Sequence, residues 1–262
     1  MSSVTPADTP QPTRRERLRA ELTAEIKAVA RRQLHENGPS AVSWRGIARE
    51  VGMSPASLYT YFENLDELYT TLIVDSFTSH AAAIGRSIAA FEGRPLVDRL
   101  YAGMVAYRVW GTTHIGEFRL LYDNLLPDYA APEDGPTVVA NNAVGANYLV
   151  LLVEGWRSGE LDPAPPGPRV DTAKMTDQYD IDITSDELRT AIGAWGMMHG
   201  LTALEVNNHL NENWIDAGEV YVAEMRTLCR KWGLPDPADD VAELAAAAAA
   251  VDQPGAASAK PG

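Results

Sequence analysis

The segment from residue 43 to residue 62, SWRGIAREVGMSPASLYTYF, constrains the fold more than any other part of the chain. It contains two short helical patterns that are joined by the sequence Gly-Met-Ser, in which Gly52 can adopt the left-handed dihedrals of a tight turn. Ser43 and Ser54 are suitable N-caps for the two helices. Pro55 follows at the first helical position, where its missing N–H costs nothing. The segment therefore predicts a helix-turn-helix.

Helical patterns also lie on both sides of this segment. From Arg14 onward, apolar residues recur along one helical face until a Gly-Pro pair ends the pattern. Asn64, with Glu67 three residues later, is suited to cap another helix that continues through Ile84. Residues 14–63 therefore predict a compact domain of three helices, with a further helix leaving it.

The second helix of the motif has an inward and an outward side. At about 100° per residue, Leu58 and Phe62 lie within roughly 40° of each other and form the inward edge. Small outward side chains would let the helix approach base edges, and flanking tyrosine hydroxyls could donate to phosphates. The alternative is that both tyrosines are packing residues with exposed tips. The outward side and its flanks hold Ala56, Ser57, Thr60, Tyr59 and Tyr61.

The charge distribution favours the nucleic-acid interpretation although the net charge is −14. Residues 1–60 hold nine Lys and Arg against six acids, whereas the remainder holds 13 against 30. A basic end on an acidic body is typical of a segment that meets nucleic acid. An architectural protein without sequence preference, which is the alternative class, usually carries far more positive charge.

The stretch WRGIAREVGMSPASLYTYFENLDELY, behind a basic helix, resembles the N-terminal DNA-binding domain of the TetR (tetracycline repressor) family. The resemblance is dense over residues 20–70. It implies an all-α chain with an N-terminal helix-turn-helix domain and a larger helical domain for ligand binding and dimerisation. It also implies a ligand-responsive regulator, in the role of a repressor that binds a palindromic DNA operator as a dimer. The matching features are Ala48-x-x-x-Gly52, Ser54, Leu58-Tyr59, Tyr61-Phe62 and Glu67-Leu68.

The resemblance further implies which residues meet DNA. In that family, the positions matching Pro55, Ala56, Ser57 and Thr60 face bases, and those matching Ser43, Arg45, Tyr59 and Tyr61 mostly meet the backbone. Many members carry a phosphate-binding lysine where this chain has Leu65, so we expect phosphate contacts from the following helix N-terminus and other basic residues. The expected DNA-binding set is Ser43, Trp44, Arg45, Ser54, Pro55, Ala56, Ser57, Tyr59, Thr60 and Tyr61.

Residues 64–234 predict a helical regulatory and dimerisation domain. Helical patterns occupy 95–114, 116–125 and 137–161, and a Pro/Asp-rich connection of residues 162–184 is expected to be partly disordered. A helix over 185–210, capped by Ser185, and an amphipathic helix over 218–234 follow.

The sequence AWGMMHGLTALE within the helix 185–210 is similar to a C-terminal domain found in part of the TetR family. In that domain the last two long helices form a dimer bundle. Gly193, Gly196 and Gly200 each cost up to about 1 kcal/mol inside a helix, which makes sense if another backbone approaches closely. We therefore expect a homodimer through helices 185–210 and 218–234.

Aromatic residues on the central helices predict a ligand cavity. A tryptophan taken alone is more often a core residue, but a set of rings on neighbouring helices is typical of a mostly apolar pocket. His199, on an apolar helix face, has the alternative of a satisfied core histidine. The candidate lining residues for a small apolar effector are Tyr107, Trp110, Phe118, Tyr122, Tyr148, Trp195 and His199.

Other classes of function have little support in the sequence. Gly-x-Gly-x-x-Gly, Walker and His-Glu-x-x-His motifs are absent and the five histidines lack metal-ligand spacing, so we expect no enzyme, cofactor or metal. The lone Cys229 fits a reducing cytoplasm, and from the polar N-terminal stretch and the short apolar runs we expect no secretory leader and no membrane span. Residues 1–13 and 235–262 are expected to be disordered, although AELAAAAAAV in the tail could be transiently helical.

Overall fold

The computed structural model confirms an all-α fold over the residues it describes, which are 13–37, 42–123, 129, 135–173, 176, 181–210 and 215–250. The chain forms two compact units. The first extends to Leu72 and also includes Tyr129, and the second begins at Ile73. In chain order the helices are α1 (Arg14–Asn37), α2 (Trp44–Val51), α3 (Pro55–Leu58), α4 (Leu65–Ala89), α5 (Leu96–Thr113), α6 (Ile115–Tyr122), α7 (Pro136–Ser158), α8 (Ser185–Val206), α9 (Ala217–Lys231) and α10 (Val241–Ala249).

The first unit contains α1 to α3 and the first turns of α4. The inward faces of these helices form its core, because apolar residues at helical spacing lie on the sides that meet. A hydrogen bond from the Gln33 amide to Glu50 and an ion pair between Arg32 and Glu50 join α1 to α2. The buried apolar residues are Ile26, Val29, Ala30, Leu34, Val42, Ile47, Ala48, Leu58, Phe62, Leu68, Tyr69 and Leu72.

The boundary between the two units falls inside α4, not at the 63/64 junction that the sequence suggested. Helix α4 is nevertheless capped where expected, since the Asn64 side chain accepts the Glu67 N–H at 2.9 Å. One continuous helix therefore contributes residues to both units.

The second unit is built around α5, which packs against α6, α7, α8, α9 and α10. Most of α5 from Leu96 to Gly111 is buried, because neighbours surround the helix. Tyrosines on two of these neighbours donate to α5 carbonyls: Tyr148 to Gly103 at 2.7 Å and Tyr221 to Met104 at 2.7 Å. These bonds satisfy hydroxyls that burial would otherwise leave unpaired.

The C-terminal segment corrects one expectation, because residues 235–250 are not a disordered tail. Helix α10 packs on α5 and buries Val241, Ala245 and Ala249 at four-residue spacing. The nearly buried Asp98 accepts the Ala238 N–H at 3.0 Å. Arg94 then pairs with Asp98 at 2.9 Å and with Asp240 at 3.0 Å. Residues 251–262 and residues 1–12 lie outside the described part of the chain.

Helix α8 begins with a different cap from the expected Ser185. The Thr184 side chain accepts the Glu187 N–H while the Glu187 carboxylate accepts the Thr184 N–H, a reciprocal capping box. Ser185 instead accepts the N–H of Val170 at 2.7 Å, which attaches the preceding connection to the helix. Of that connection, residues 174–175 and 177–180 lie outside the described part of the chain.

Helix α7 is long and apolar enough to cross a membrane by length and composition alone. Core helices of folded domains meet the same criterion. Here α7 packs against α5 and α8, and Asn147 donates to the Ala81 carbonyl at 3.2 Å. These contacts make α7 a packed helix of the second unit.

Candidate nucleic-acid interface and internal cavity

Two short helices and a glycine turn position the outward residues of the first unit. The Ser43 hydroxyl accepts the Gly46 N–H at 3.1 Å and starts α2. Gly52 ends α2 with φ of 73°, a conformation that L side chains rarely adopt. The Ser54 hydroxyl accepts the Ser57 N–H at 3.1 Å and starts α3 at Pro55. Both predicted serine caps and the glycine turn are thus present.

Helix α3 is anchored on one side and open on the other. Leu58 is fully buried and Phe62 is nearly so, and each contributes about 1.5–3 kcal/mol by leaving water. Pro55, Ala56 and Thr60 are exposed, and Ser57 is partly exposed. The small side chains predicted to face bases therefore do lie on the surface of the anchored helix.

The helical path after Leu58 is tighter than the sequence suggested. The α-helix ends at Leu58, and the N–H groups of Thr60 and Tyr61 then bond three residues back, at 3.2 and 2.8 Å. The N–H of Phe62 returns to the Leu58 carbonyl at 3.1 Å. Three-residue bonding winds the chain more tightly than an α-helix, so the predicted angles around Tyr61 are only approximate.

The two flanking tyrosines have different surroundings. Tyr59 is 57% exposed, and its ring centroid lies 5.7 Å from that of Trp44 on α2. Tyr61 is partly buried beneath Arg19 of α1, whose guanidinium lies 5.7 Å from the ring centroid. Arg19 also donates to the Thr60 carbonyl at 3.0 Å. Tyr61 is therefore a packing residue, as one alternative predicted, but it also lies at the edge of the exposed side of α3, where the other alternative places a phosphate contact.

The N-terminus of α4 is a poor phosphate site. Its Glu67 N–H is already bonded to Asn64, and Asp66 and Glu67 place two exposed carboxylates in the first turn. Those carboxylates interact favourably with the helix dipole, but they would repel a phosphate. Arg45 is exposed on α2 and pairs with no acid in the described part of the chain. Basic residues such as Arg45 are therefore better suited than the α4 terminus to replace the lysine missing at Leu65.

The second unit contains an internal cavity of about 240 Å³ that opens to the surface. It is bounded mainly by α5, α7 and α8, and its polar groups are neutral hydroxyl, amide and indole groups. Of the seven predicted lining residues, only Tyr122, Tyr148 and Trp195 line it. The rest of the lining is Leu100, Met104, Asn141, Asn142, Val144, Gly145, Leu149, Leu152, Leu188, Ala191, Ile192, Ala194, Met198 and Trp232.

The other four predicted residues do not line the cavity; they belong to a larger cluster of aromatic and histidine rings next to it. Tyr107, Trp110 and Phe118 are buried, and Tyr107 shares a 3.0 Å hydrogen bond with Nδ1 of His199. His199 also stacks near Phe118 and Trp195, with centroids 5.5 and 5.3 Å away. We define the ring cluster as His80, Tyr107, Trp110, His114, Phe118, Tyr122, Trp195 and His199.

His80 is a member of this cluster that the sequence analysis did not single out. It lies on α4, with its ring stacked 4.2 Å from Trp110 and 4.5 Å from Tyr107. It is fully buried, and burial lowers its pKa to about 3, with a smaller contribution from His114. A histidine with this pKa is neutral at physiological pH. Its position four residues before Ile84 on an apolar helix face was the signal available in the sequence.

Gly193, Gly196 and Gly200, which suggested the close approach of another backbone, form a glycine stripe on the outer side of α8. A Cβ added at any of the three would meet nothing within 4 Å. Ile192 and Trp195, which border this stripe, are 50% and 42% exposed although both line the cavity. No neighbour within the described chain thus provides the expected close approach.

Comparison with known proteins agrees with the two units. Residues 26–72 match the family described as bacterial regulatory proteins, tetR family, and residues 100–228 match the family described as tetracyclin repressor-like, C-terminal domain. The chain is 29% identical over 215 residues to an HTH-type transcriptional regulator of Mycobacterium tuberculosis, covering 80% of this chain and 92% of that protein.

Solved structures show the same fold. A candidate regulatory protein, SCO4313, aligns with a TM-score of 0.63 and 29% identity, over 84% of this chain and 98% of that one. The transcriptional regulator FadR from Bacillus subtilis, in complex with stearoyl-CoA, aligns with a TM-score of 0.52 and 15% identity, over 79% and 97% of the two chains. The second likeness concerns the fold alone.

Proposed function

We propose that this chain, which belongs to the TetR family of bacterial transcriptional regulators, is a repressor that a small apolar ligand releases from DNA. It would bind a palindromic operator as a homodimer in the cytoplasm. The observation that carries the proposal is the open face of α3, where exposed Ala56 and Thr60 stand on a helix anchored by buried Leu58 and Phe62.

Direct reading of DNA requires an outward face that fits the major groove. Small side chains on that face let the helix approach base edges, and hydroxyls such as that of Thr60 can bond to either kind of edge. Tyr59 is exposed directly after α3, and Arg45 is exposed on α2. Both are suited to phosphate oxygens, which position a protein without specifying sequence. The division of roles follows from side-chain size and reach.

A homodimer would give the operator its symmetry. In a dimer, the two helix-turn-helix domains, here called the two heads, would enter successive major grooves about one turn of duplex apart, roughly 34–36 Å. Because the two heads are related by two-fold symmetry, the operator should be an inverted repeat. We assign the interface to α8 and α9, since the glycine stripe of α8 has free space around it. A partner helix could approach that backbone closely because glycine has no side chain.

Release by a ligand would act through α4. Ser79 and His80 of this helix contact Trp110, so a shift of the aromatic rings around the cavity would displace α4. Helix α4 is continuous with the first unit, and a rigid displacement would change the spacing of the two heads. A nearly complete switch needs a ligand that binds the DNA-free form about 10⁴-fold more tightly, roughly 5.5 kcal/mol.

The experiment that tests the regulator is selection of DNA fragments by the purified full-length chain, followed by sequencing and gel shifts. We expect an inverted repeat whose affinity exceeds that of a scrambled sequence at every salt concentration. Equal affinity for selected and scrambled DNA, with the same salt dependence, would instead identify an architectural DNA-binding protein.

An enzyme is the weaker alternative. Burial raises the pKa of the Cys229 thiol to about 12, which leaves it without a thiolate at neutral pH. Among the described residues there is no cluster of three or more His, Cys, Asp or Glu side chains that could hold a metal ion. Turnover of a small molecule by the purified chain would revive this class.

A further inference from the structure

We infer that the cavity of the second unit takes an uncharged, compact ligand, with a single ring and a short chain that ends in a hydroxyl or carbonyl group. The inference rests on the proposed function, since this ligand is the effector of the proposed switch. It narrows the expected effector by size, by charge and by the position of its polar group.

The size follows from the cavity volume of about 240 Å³. An apolar cavity of about 150 Å³ holds benzene, so the additional volume suits a few more heavy atoms. The lining residues of α7 extend from Asn141 to Leu152, which is about 16–17 Å along the helix axis at 1.5 Å per residue. A benzene ring with a three-carbon chain fits within that length, and the cavity volume limits the ligand to about this size.

The absence of charge follows from the lining. Among the described residues that line the cavity, none is Asp, Glu, Lys, Arg or His, so a carboxylate, phosphate or ammonium group would find no ionic partner among them. Burying such a group unpaired costs several kcal/mol. Burial lowers the pKa of His199 and raises that of Tyr122 to about 12, so neither residue favours a charge at the cavity. The carboxylate of Asp123 acts on His199 from outside the lining, and it would repel an anionic ligand.

The position of the polar group follows from the distribution of side chains along α7. Asn141 and Asn142 lie in its first half, and their amides make no hydrogen bond within the described chain. About two turns later the lining is aliphatic, where Leu149 packs with Leu188 of α8. The Tyr148 hydroxyl already donates its proton to the Gly103 carbonyl, so it cannot donate to a ligand. The polar group of the ligand should therefore meet the asparagines, and its ring the leucines.

The experiment is calorimetric titration of the full-length protein, without DNA, with three molecules of one skeleton. These are 3-phenyl-1-propanol, 3-phenylpropanoate and 3-phenylpropylamine, which are neutral, anionic and cationic at pH 7. We expect the alcohol to bind, and both ions to bind at least about tenfold more weakly. Tighter or equal binding of either ion, or no binding of the alcohol at millimolar concentration, would overturn the inference.

A variant that fills the cavity locates the binding. Gly145 lines the cavity, and a Cβ added there meets nothing within 4 Å, so Gly145→Leu should occupy the space without disturbing the helix. The matched control is Ala143→Leu, which adds the same side chain on the exposed side of α7. Gly145→Leu should reduce alcohol affinity at least about tenfold while melting no lower than wild type, since glycine weakens helices. Unchanged binding in this folded variant would place the alcohol elsewhere.

The two proposals fail in different ways. Ligand binding is measured here without DNA, so binding of the alcohol with no effect on a gel shift would contradict release from DNA but not the cavity chemistry. Release of DNA by a charged molecule that no longer binds Gly145→Leu would contradict the cavity chemistry but not the repressor.

Discussion

Lowering the pH from 7.5 to 5 should destabilise the second unit through His80. Its ring is fully buried between Tyr107 and Trp110, and neither ring nitrogen has a hydrogen-bond partner among the described residues. The titratable groups that face it from other helices are His114 and His199, which disfavour a further positive charge. Protonating His80 in the folded chain is therefore unfavourable, and it must occur mainly in the unfolded chain.

The magnitude follows from the two pKa values of His80. Burial lowers the folded-state pKa to about 3 from an ordinary value of 6.5. Because the folded pKa is depressed, the neutral histidine contributes its full stability above pH 6.5, and the contribution falls as the pH drops from 6.5 toward 3. With one proton taken up by the unfolded state, the free energy of unfolding should decrease by about 2 kcal/mol between pH 7.5 and pH 5.

The assay is urea unfolding at pH 7.5, 6 and 5, followed by tryptophan fluorescence. His80→Leu removes the titrating group. The decrease in the free energy of unfolding between pH 7.5 and pH 5 should therefore be about 2 kcal/mol smaller in this variant than in wild type. His35→Gln on the exposed surface of α1 is the control and should keep the wild-type pH dependence. An identical pH dependence in wild type and His80→Leu would refute the assignment of a depressed pKa to His80.

Three further predictions concern DNA binding, assembly and the C-terminal helix. Thr60→Ala should weaken binding to the cognate site by about 1–3 kcal/mol and relax one base preference, whereas Tyr61→Ala should weaken all sequences alike; normal gel shifts for Tyr61→Ala would remove its phosphate role. Gly200→Leu has room in the single chain and should yield monomers of low DNA affinity by sedimentation, and a monomeric wild type would contradict the dimer. Ala245→Asp should detach α10 because it buries an unpaired carboxylate, and it should make residues 241–249 sensitive to protease. The control, Ala247→Asp on the exposed side of α10, should remain resistant. Equal protease resistance of the two variants would contradict the packing of α10.

The helix-turn-helix was predictable because local rules determine it. Serine caps, a left-handed glycine and two inward residues at four-residue spacing act within a few positions, and each is present at Ser43, Ser54, Gly52, Leu58 and Phe62. The folding of α10, which the sequence did not predict, depends instead on tertiary contacts. Isolated helices as short as α10 are marginal in water, and α10 folds here because α5, Arg94 and Asp98 hold it.

The lining of the cavity also depends on tertiary packing and could not be predicted from local sequence patterns. The rings of Tyr107, Trp110 and Phe118 were expected to line it. Instead Tyr107 and Trp110 pack against His80, and Phe118 packs against His199, because stacking and area burial favour contact between rings. The actual lining includes Asn141, Asn142 and Gly145, and these residues have no special pattern in the sequence. A small residue leaves a space only where its neighbours fail to fill it, and that depends on how three helices pack.

A series of contacts connects the cavity wall to α4. Trp195 lines the cavity and stacks 5.3 Å from His199, which shares a 3.0 Å hydrogen bond with Tyr107. Tyr107 in turn lies 4.5 Å from His80 on α4. The buried rings of this series cannot shift singly, so a ligand that pushes Trp195 against His199 would displace Tyr107 and His80 and, through them, α4. Since linkage is reciprocal, an α4 position favoured by DNA would disfavour the ligand by the same factor with which the ligand disfavours DNA.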